Sequence, residues 1–215
     1  PIEAPATTVD AQCGSSQQAT NLAYALVASG TVDVAVGCGI ELMSQVGFGA
    51  TTPKEPNSGR PINRNYFDHF EFTSQFEGSE RMADHWGLTR EDCDAFGKQS
   101  QDRAARAWQE DRYGTQLVNV EAPVLDEEGS LTGETVTVAR DEGLRETTLE
   151  GLAQLKPSGR PDGVHTAASS SQISDGAGAV LLMTADKAAA LGVAPLARVV
   201  DTCLVGSDPE FMLTG

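Results

Sequence analysis

The feature that most constrains the fold of this chain is a pair of apolar runs that lie far apart in the sequence. The first, VDVAVGCGI, covers residues 32–40, and the second, GAGAVLLMT, covers residues 176–184. Near-continuous apolar runs of this length are typical of strands buried on both faces of a parallel sheet. We therefore expect an α/β core interrupted by an insertion of about 120 residues, from near Gly47 to near Val164.

The residues around the first run predict a strand–helix–strand unit. ATTVDA at residues 6–11 predicts a short strand, and apolar residues recur at helical spacing from Ser15 to Ser29. Gly30 is a typical helix stop. Together with the strand at residues 32–40, these elements predict a right-handed βαβ unit.

Residues 47–77 are rich in Gly, Pro and Asn and lack periodicity, which predicts an irregular stretch. The other segments are predicted as helices at 75–86 and 89–110, a hairpin at 117–140, short helices at 147–157 and 185–192, and a last strand from about 196. Gly87 is expected to stop the helix that precedes it. Thr89 and Asp92 form a variant of the capping box, which marks the start of the next helix.

Composition and charge exclude several classes of protein. The net charge of −16 argues against non-specific nucleic-acid binding, because such binding needs clustered cations. No apolar run approaches the ~18 residues that a membrane span needs. The four cysteines are widely spaced, which argues against a zinc site and favours free thiols in a reducing cytoplasm.

The chain has no initiator methionine, and we expect it to be a piece of a longer protein.

Cys13 is the candidate nucleophile. It lies where a strand is expected to end and a helix to begin, and the N–H groups of a first helical turn lack intrahelical partners. Such a position favours a thiolate and an oxyanion beside it. Small residues after Cys13 would let a substrate approach the backbone. The alternative is that Cys13 packs as a small hydrophobe, which is the role we expect for the other three cysteines.

A nucleophilic cysteine is most naturally activated by a histidine base. The chain has three histidines, His69, His85 and His165. None lies in a setting that marks it as the base, and we expect each to be a surface or structural residue.

Several local segments resemble the thiolase family. CGSSQQA at residues 13–19 resembles the nucleophile segment of thiolases, and VAVGCGIELMS at residues 34–44 resembles the strand that follows it. The segments at residues 76–107, 140–157, 165–183 and 195–215 resemble later parts of the family in the correct order. The variants QFEGSER and HTAASSSQ are most similar to degradative 3-ketoacyl-CoA thiolases, including the branch that acts on steroid side chains.

The resemblance implies an α/β, thiolase-like fold that is partial and carries a mixed α+β loop-domain insertion. Residues 1–46 and 166–192 would form part of the N-terminal core. Residues 47–165 would form the loop domain that covers coenzyme A. Residues 193–215 would begin the C-terminal domain.

The resemblance also implies an acyltransferase that cleaves 3-ketoacyl-CoA with coenzyme A through a cysteine acyl-enzyme. By this match Cys13 is the nucleophile, Ser171 meets the pantetheine arm, and Arg145 lies near the nucleotide of coenzyme A. Gln75 and Phe76 stand where the family has Met-Gly lining the pantetheine tunnel, which is a departure. The alternative for Ser171 is that it caps a loop, and the alternative for Arg145 is that it is a solvated surface charge.

The resemblance further implies that coenzyme A is a co-substrate and that no cofactor is tightly bound. A homodimer or homotetramer is expected, without nucleic acid or membrane as partner.

Three family motifs do not occur in these 215 residues: Gly-His-Pro, Cys-x-Gly-Gly and Asn-Glu-x-Phe. The family's histidine base and second cysteine lie in those motifs, so we expect this chain alone to have little thiolase activity. Two other functions stay open. One is a ketosynthase-type condensing enzyme, and the other is a non-catalytic acyl-CoA-binding or assembly module.

Overall fold

The computed structural model describes residues 2–50, 52, 55 and 59–215, so part of the irregular stretch predicted at 47–77 lies outside the described residues. The elements are α1 (Ser15–Ala28), β1 (Val34–Glu41), α2 (Gln75–Trp86), α3 (Arg90–Gln109), β2 (Val120–Leu125), β3 (Leu131–Val138), α4 (Leu149–Leu152), β4 (Gly176–Met183) and α5 (Ala185–Leu191). The chain forms two compact units. Unit 1 contains Pro1–Asn63 and Ile173–Gly206, and unit 2 contains Arg64–Gln172 and Ser207–Gly215.

Unit 1 packs α1 against a two-stranded sheet of β1 and β4. Alternate residues of β1 face the helix, and glycine is required at Gly37, where a Cβ atom would come within 2.6 Å of the Cα of Thr20. The helix ends as predicted at Gly30, whose φ of 72° is left-handed. The Thr31 N–H donates to the Leu26 carbonyl at 3.0 Å and closes the last turn.

The predicted parallel sheet and βαβ unit are wrong. β4 runs antiparallel to β1, with Val34 opposite Met183, and residues 6–11 form no strand. The strand expected from about residue 196 is also absent, and that segment is irregular. A strand needs a hydrogen-bonded neighbour, and in the described part of the chain β4 is the single partner of β1.

The predicted burial of β1 on both faces is also wrong. The face turned away from α1 is open, and Val36 and Ile40 on it are 56% and 69% exposed. Cys38 lies on this face and is exposed, so the packing role expected for it is not observed. Cys203 is exposed as well, whereas Cys93 is buried on α3 as predicted.

The helix boundaries and the hairpin predicted in unit 2 are confirmed, and one predicted helix is shorter than expected. α2 ends at Gly87, whose φ is 64°, and α3 begins with the full capping box between Thr89 and Asp92. The predicted hairpin forms as β2 and β3, paired antiparallel. The helix predicted at 147–157 is reduced to the single turn of α4.

Polar side chains join the elements of unit 2. Arg90 on α3 donates through Nη2 to the carbonyls of Leu152 and Leu155, at 2.6 and 3.0 Å, and its Nε bonds to Asp94 at 2.8 Å. Arg160 binds Glu77 on α2 through Nε and Nη2, at 2.9 and 2.8 Å. The segments after α3 are therefore fastened to the helices by charged groups rather than by a large apolar core.

Candidate functional site

Cys13 lies in a short 3₁₀ turn, Gln12–Gly14, that runs directly into α1. Its side chain is exposed. Gly14 is the N-cap residue, so no side chain of the described residues caps the first turn of α1, and this turn contains no acidic residue. The Ser15 N–H donates to the Gln12 carbonyl, and the N–H groups that follow it in the first turn have no side-chain cap among the described residues. Uncapped N–H groups at a helix start favour a negatively charged or carbonyl-bearing ligand.

A cavity of about 650 Å³ opens at this turn, and Cys13 lines it. The other walls come from residues 7–9, from residues 38–41 at the end of β1, and from residues 174 and 176–178 at the start of β4. The volume is in the range typical of small-molecule sites, roughly 300–1,000 Å³. Cys13 is thus not sealed in apolar packing, and its side chain borders a space large enough for a small molecule.

Hydrogen bonds hold the turn that carries Cys13. The Gln12 N–H donates to Oδ1 of Asp10 at 3.0 Å, and the Gly14 N–H donates to the Ala11 carbonyl at 3.0 Å. The Ser15 hydroxyl accepts from the Ala11 N–H at 2.9 Å and donates to the Gln12 carbonyl at 2.6 Å. Every one of these bonds lies within residues 10–15.

A second polar contact fixes the strand ends beside the cavity. Ser44 donates to Asp175 twice, from its N–H at 2.9 Å and from its hydroxyl at 2.5 Å. These bonds hold the pKa of the Asp175 carboxyl below its usual value. They fasten the segment after β1 to the residue before β4.

All three histidines lie in unit 2, so the unit that carries Cys13 contributes no histidine base. The ring of His165 is half-buried, with Nε2 3.2 Å from the Ser79 carbonyl and Nδ1 3.2 Å from the Ser169 hydroxyl. His85 packs edge-on against Trp86 and Phe211. These contacts agree with the structural roles expected for them.

The remaining candidate residues also lie in unit 2. Arg145 and Ser171 are both exposed. Their segments are brought together, because Gln172 donates to the Gly143 carbonyl at 2.9 Å and Gln101 accepts from the Arg145 N–H at 3.0 Å.

Gln75 and Phe76 form the first turn of α2, and Phe76 is 44% exposed. Gln75 is exposed as well. Both residues therefore lie at the surface of unit 2.

Glu80 was not predicted as a site residue, although it organises this region. It is 2% exposed, and its two carboxylate oxygens accept the N–H groups of Val164 and His165 at 2.9 and 3.1 Å. It thereby ties α2, which begins at Gln75, to the segment that leads to Ser171. No local pattern marks Glu80, because its partners are 84 and 85 positions further along the chain.

The described residues hold neither a cluster of three or more His, Cys, Asp or Glu side chains suited to a metal ion nor a helix with the length and apolar character of a membrane span.

Comparison with known proteins gives consistent matches. The family model for the thiolase N-terminal domain matches residues 1–186. The whole chain aligns with steroid 3-ketoacyl-CoA thiolase FadA6 of Mycobacterium tuberculosis at 38% identity, covering 51% of that protein. It aligns with the human peroxisomal 3-ketoacyl-CoA thiolase at 37% identity, covering 50% of it. The chain therefore spans about half the length of the curated relatives it matches.

Among solved structures, an acetyl-CoA acetyltransferase from Syntrophomonas wolfei is similar to this chain with a TM-score of 0.76 and 25% identity. The match covers 99% of this chain and 53% of that one. These findings confirm the family resemblance and the partial α/β fold expected from the sequence.

Proposed function

Because the chain belongs to the thiolase family, we propose that the protein containing it is an acyltransferase that cleaves 3-ketoacyl-CoA with coenzyme A. The Cys13 thiolate attacks C3 of the substrate, and the C2–C3 bond breaks. The electron pair of that bond goes to C2, which takes a proton and leaves as acetyl-CoA. The thiol of coenzyme A then attacks the acyl group on Cys13 and releases it as the shortened acyl-CoA.

The observation that carries this proposal is the position of Cys13. It is exposed at the start of α1, on the wall of a cavity of about 650 Å³, beside a helical turn that no side chain of the described residues caps. Open backbone N–H groups are suited to the oxyanion that forms when a thiolate attacks a carbonyl. The position therefore serves both formation and breakdown of the acyl-enzyme.

We assign the coenzyme A side of the reaction to unit 2. Ser171 would contact the pantetheine arm and Arg145 the nucleotide, while Gln75 and Phe76 would line the pantetheine tunnel. Hydrogen bonds support this assignment. Gln101 and Gln172 both donate to the Gly143 carbonyl, and Gln101 accepts from the Arg145 N–H, so the segments of Ser171 and Arg145 lie together. Residues 47–165 would then be the loop domain, between core segments at 1–46 and 166–192, with 193–215 beginning a second core domain.

The names of the relatives support finer features of the proposal. Two of them are named as a steroid 3-ketoacyl-CoA thiolase and a peroxisomal 3-ketoacyl-CoA thiolase, so we propose a degradative thiolase with a fatty-acyl or steroid side-chain substrate. Coenzyme A is a co-substrate, and no tightly bound cofactor takes part. We also propose a homodimer or homotetramer in the cytoplasm, where the four free cysteines would stay reduced.

Catalysis needs a proton donor and acceptor beyond those of unit 1. That unit has no histidine, and proton transfer by a positioned group contributes about 10²–10⁴-fold to such reactions. We therefore propose that the 215-residue chain alone has little thiolase activity.

The experiment uses the full-length protein with a 3-ketoacyl-CoA and coenzyme A, and follows acetyl-CoA and the shortened acyl-CoA. Cys13→Ala should abolish turnover, whereas the control Cys203→Ala, at another exposed cysteine, should leave it within about twofold. Reaction only with an acyl-carrier-protein substrate would identify a ketosynthase. Binding of acyl-CoA without turnover would identify an assembly module.

A further inference from the structure

We propose that Ser15 is a positioning residue that holds Cys13 at the tip of α1. This inference rests on the proposed function, in which Cys13 is the acyl-carrying nucleophile. It concerns a side chain two positions after the cysteine, which the sequence presents only as a small residue.

The Ser15 hydroxyl forms two bonds to the peptide units just before Cys13. It accepts from the Ala11 N–H at 2.9 Å and donates to the Gln12 carbonyl at 2.6 Å. The Gln12 carbonyl also accepts the Ser15 backbone N–H. One hydroxyl thus fastens the chain entering the turn to the first residue of the helix, with Cys13 between them.

The turn needs this fastening because its backbone is strained. Gln12 has a φ of 52°, in the left-handed region that residues other than glycine, asparagine and aspartate rarely adopt. Such a conformation persists only where surrounding bonds impose it. Asp10 holds the N–H of Gln12, and Ser15 holds its carbonyl, so the two side chains fix both ends of the strained residue.

The same bonds show that Ser15 does more than stabilise the helix. The N-cap of α1 is Gly14, and the Ser15 hydroxyl is directed to the turn rather than to the N–H groups of the first helical turn. Apart from the Ser15 N–H, which the Gln12 carbonyl accepts, the N–H groups of this turn have no side-chain cap among the described residues. Ser15 therefore fixes where the sulfur lies without occupying the groups that a substrate oxyanion needs.

The control for a general effect on the helix is Ser29. It stands at the other end of α1, and its hydroxyl donates to the Leu26 carbonyl at 3.1 Å. Ser29→Ala removes the same group from the same helix, at the end remote from Cys13. A contribution of Ser15 to helix stability alone would make the two alanine variants similar.

The test compares Ser15→Ala, Ser15→Thr and Ser29→Ala in the full-length protein, with circular dichroism to verify the fold. Ser15→Ala should lower kcat about tenfold and leave KM within twofold, because a displaced sulfur affects the acyl transfer rather than substrate binding. Ser15→Thr retains the hydroxyl and should recover most of kcat. Ser29→Ala should match the unchanged protein.

A second readout does not depend on turnover. The rate at which iodoacetamide alkylates Cys13, followed by peptide mass spectrometry, should fall at least threefold in Ser15→Ala and recover in Ser15→Thr. An alkylation rate unchanged in Ser15→Ala, or lowered equally in Ser29→Ala, overturns the inference. A protein without turnover contradicts the proposed function, and the alkylation rates then still decide the role of Ser15.

Discussion

The two units of this chain place their candidate residues in different ways. In unit 1, Cys13 is set by hydrogen bonds that all fall within residues 10–15. In unit 2, the segment that leads to Ser171 is set by the buried carboxylate of Glu80, which lies 84 and 85 positions before its partners. The geometry of the nucleophile is therefore a local property of the sequence, and that of the proposed coenzyme A side is a property of the fold.

Because of this difference, mutations in the two units should change different properties, namely the reactivity of Cys13 and the stability of unit 2. A change that loosens the packing of unit 2 should leave the turn around Cys13 intact, because the bonds described for that turn lie within residues 10–15. A change within residues 10–15 should alter the reactivity of Cys13 without lowering the stability of unit 2. Two readouts separate these effects: both tryptophans, Trp86 and Trp108, lie in unit 2, and Cys13 lies in unit 1.

The largest effect is expected from Glu80→Ala. It leaves the N–H groups of Val164 and His165 without their acceptors in a buried site. The expected cost is roughly 3 kcal/mol, since an unsatisfied buried group costs about 1–3 kcal/mol. Urea unfolding of the 215-residue chain, followed by tryptophan fluorescence, measures this loss.

Glu91→Ala is the matched control, because Glu91 is an exposed carboxylate in the first turn of α3. It should shift the urea midpoint only slightly. In the same Glu80→Ala variant, the alkylation rate of Cys13 before the unfolding transition should equal that of the unchanged chain. A large fall in that rate would remove the distinction between the two units.

A smaller effect is expected from Gly37→Ala in unit 1. The added Cβ would come within 2.6 Å of the Thr20 Cα and 2.9 Å of its N, and helix backbone cannot give way as a flexible side chain can. Overpacking of this kind costs about 1–3 kcal/mol. Amide hydrogen exchange in α1 should accelerate accordingly.

The matched control for Gly37 is Gly178→Ala on β4, where a Cβ atom meets nothing within 4 Å. Exchange in α1 should then stay at the rate of the unchanged chain. Equal acceleration in the two variants would show that the close approach of α1 to β1 does not hold this unit.

The smallest effect concerns pH and belongs to unit 2. Hydrogen bonds from Arg160 and Arg81 lower the pKa of Glu77 from 4.5 to about 2. Because the folded pKa is the lower one, the Glu77 carboxylate stabilises the fold above pH 4.5, and this contribution is lost as the pH falls toward 2. Glu77→Gln should flatten the fall of the urea midpoint across that window.

Glu150→Gln, at an exposed carboxylate in the single turn of α4, serves as the control for this pH dependence. The urea midpoint of that variant should fall with pH as steeply as in the unchanged chain. A steep fall that survives in Glu77→Gln would place the pH dependence on another carboxylate.

The parts of the fold that were predictable from sequence are those with local causes. Gly87, together with the Thr89 and Asp92 capping box, marks the boundary between α2 and α3, and Gly30 marks the end of α1. These signals act within one helical turn, so the structure confirms them. The strands expected at residues 6–11 and from about 196 failed because a strand depends on a partner, and the apolar pattern does not say which partner is present.

In the candidate site, too, the residue with a local signal was predictable and residues with distant partners were not. Cys13 was found from its place before a helix, whereas the hydrogen bonds of Ser15 were not predicted, because the sequence presents it only as a small residue. No sequence pattern indicated the roles of Glu80 and Arg160. Their partners are distant in the sequence, so each residue resembles an ordinary surface charge until the fold is known. The open face of β1 was also missed, because apolar residues in a strand do not reveal whether a neighbour covers them.

The most direct test of the central claim is the fate of the acyl group. The full-length protein is incubated with a 3-ketoacyl-CoA in the absence of free coenzyme A, digested, and analysed by mass spectrometry. We predict that the peptide containing Cys13 gains the mass of the shortened acyl group and loses it when coenzyme A is added. An active protein whose Cys13 peptide stays unmodified, or whose acyl group is found on another residue, would contradict it.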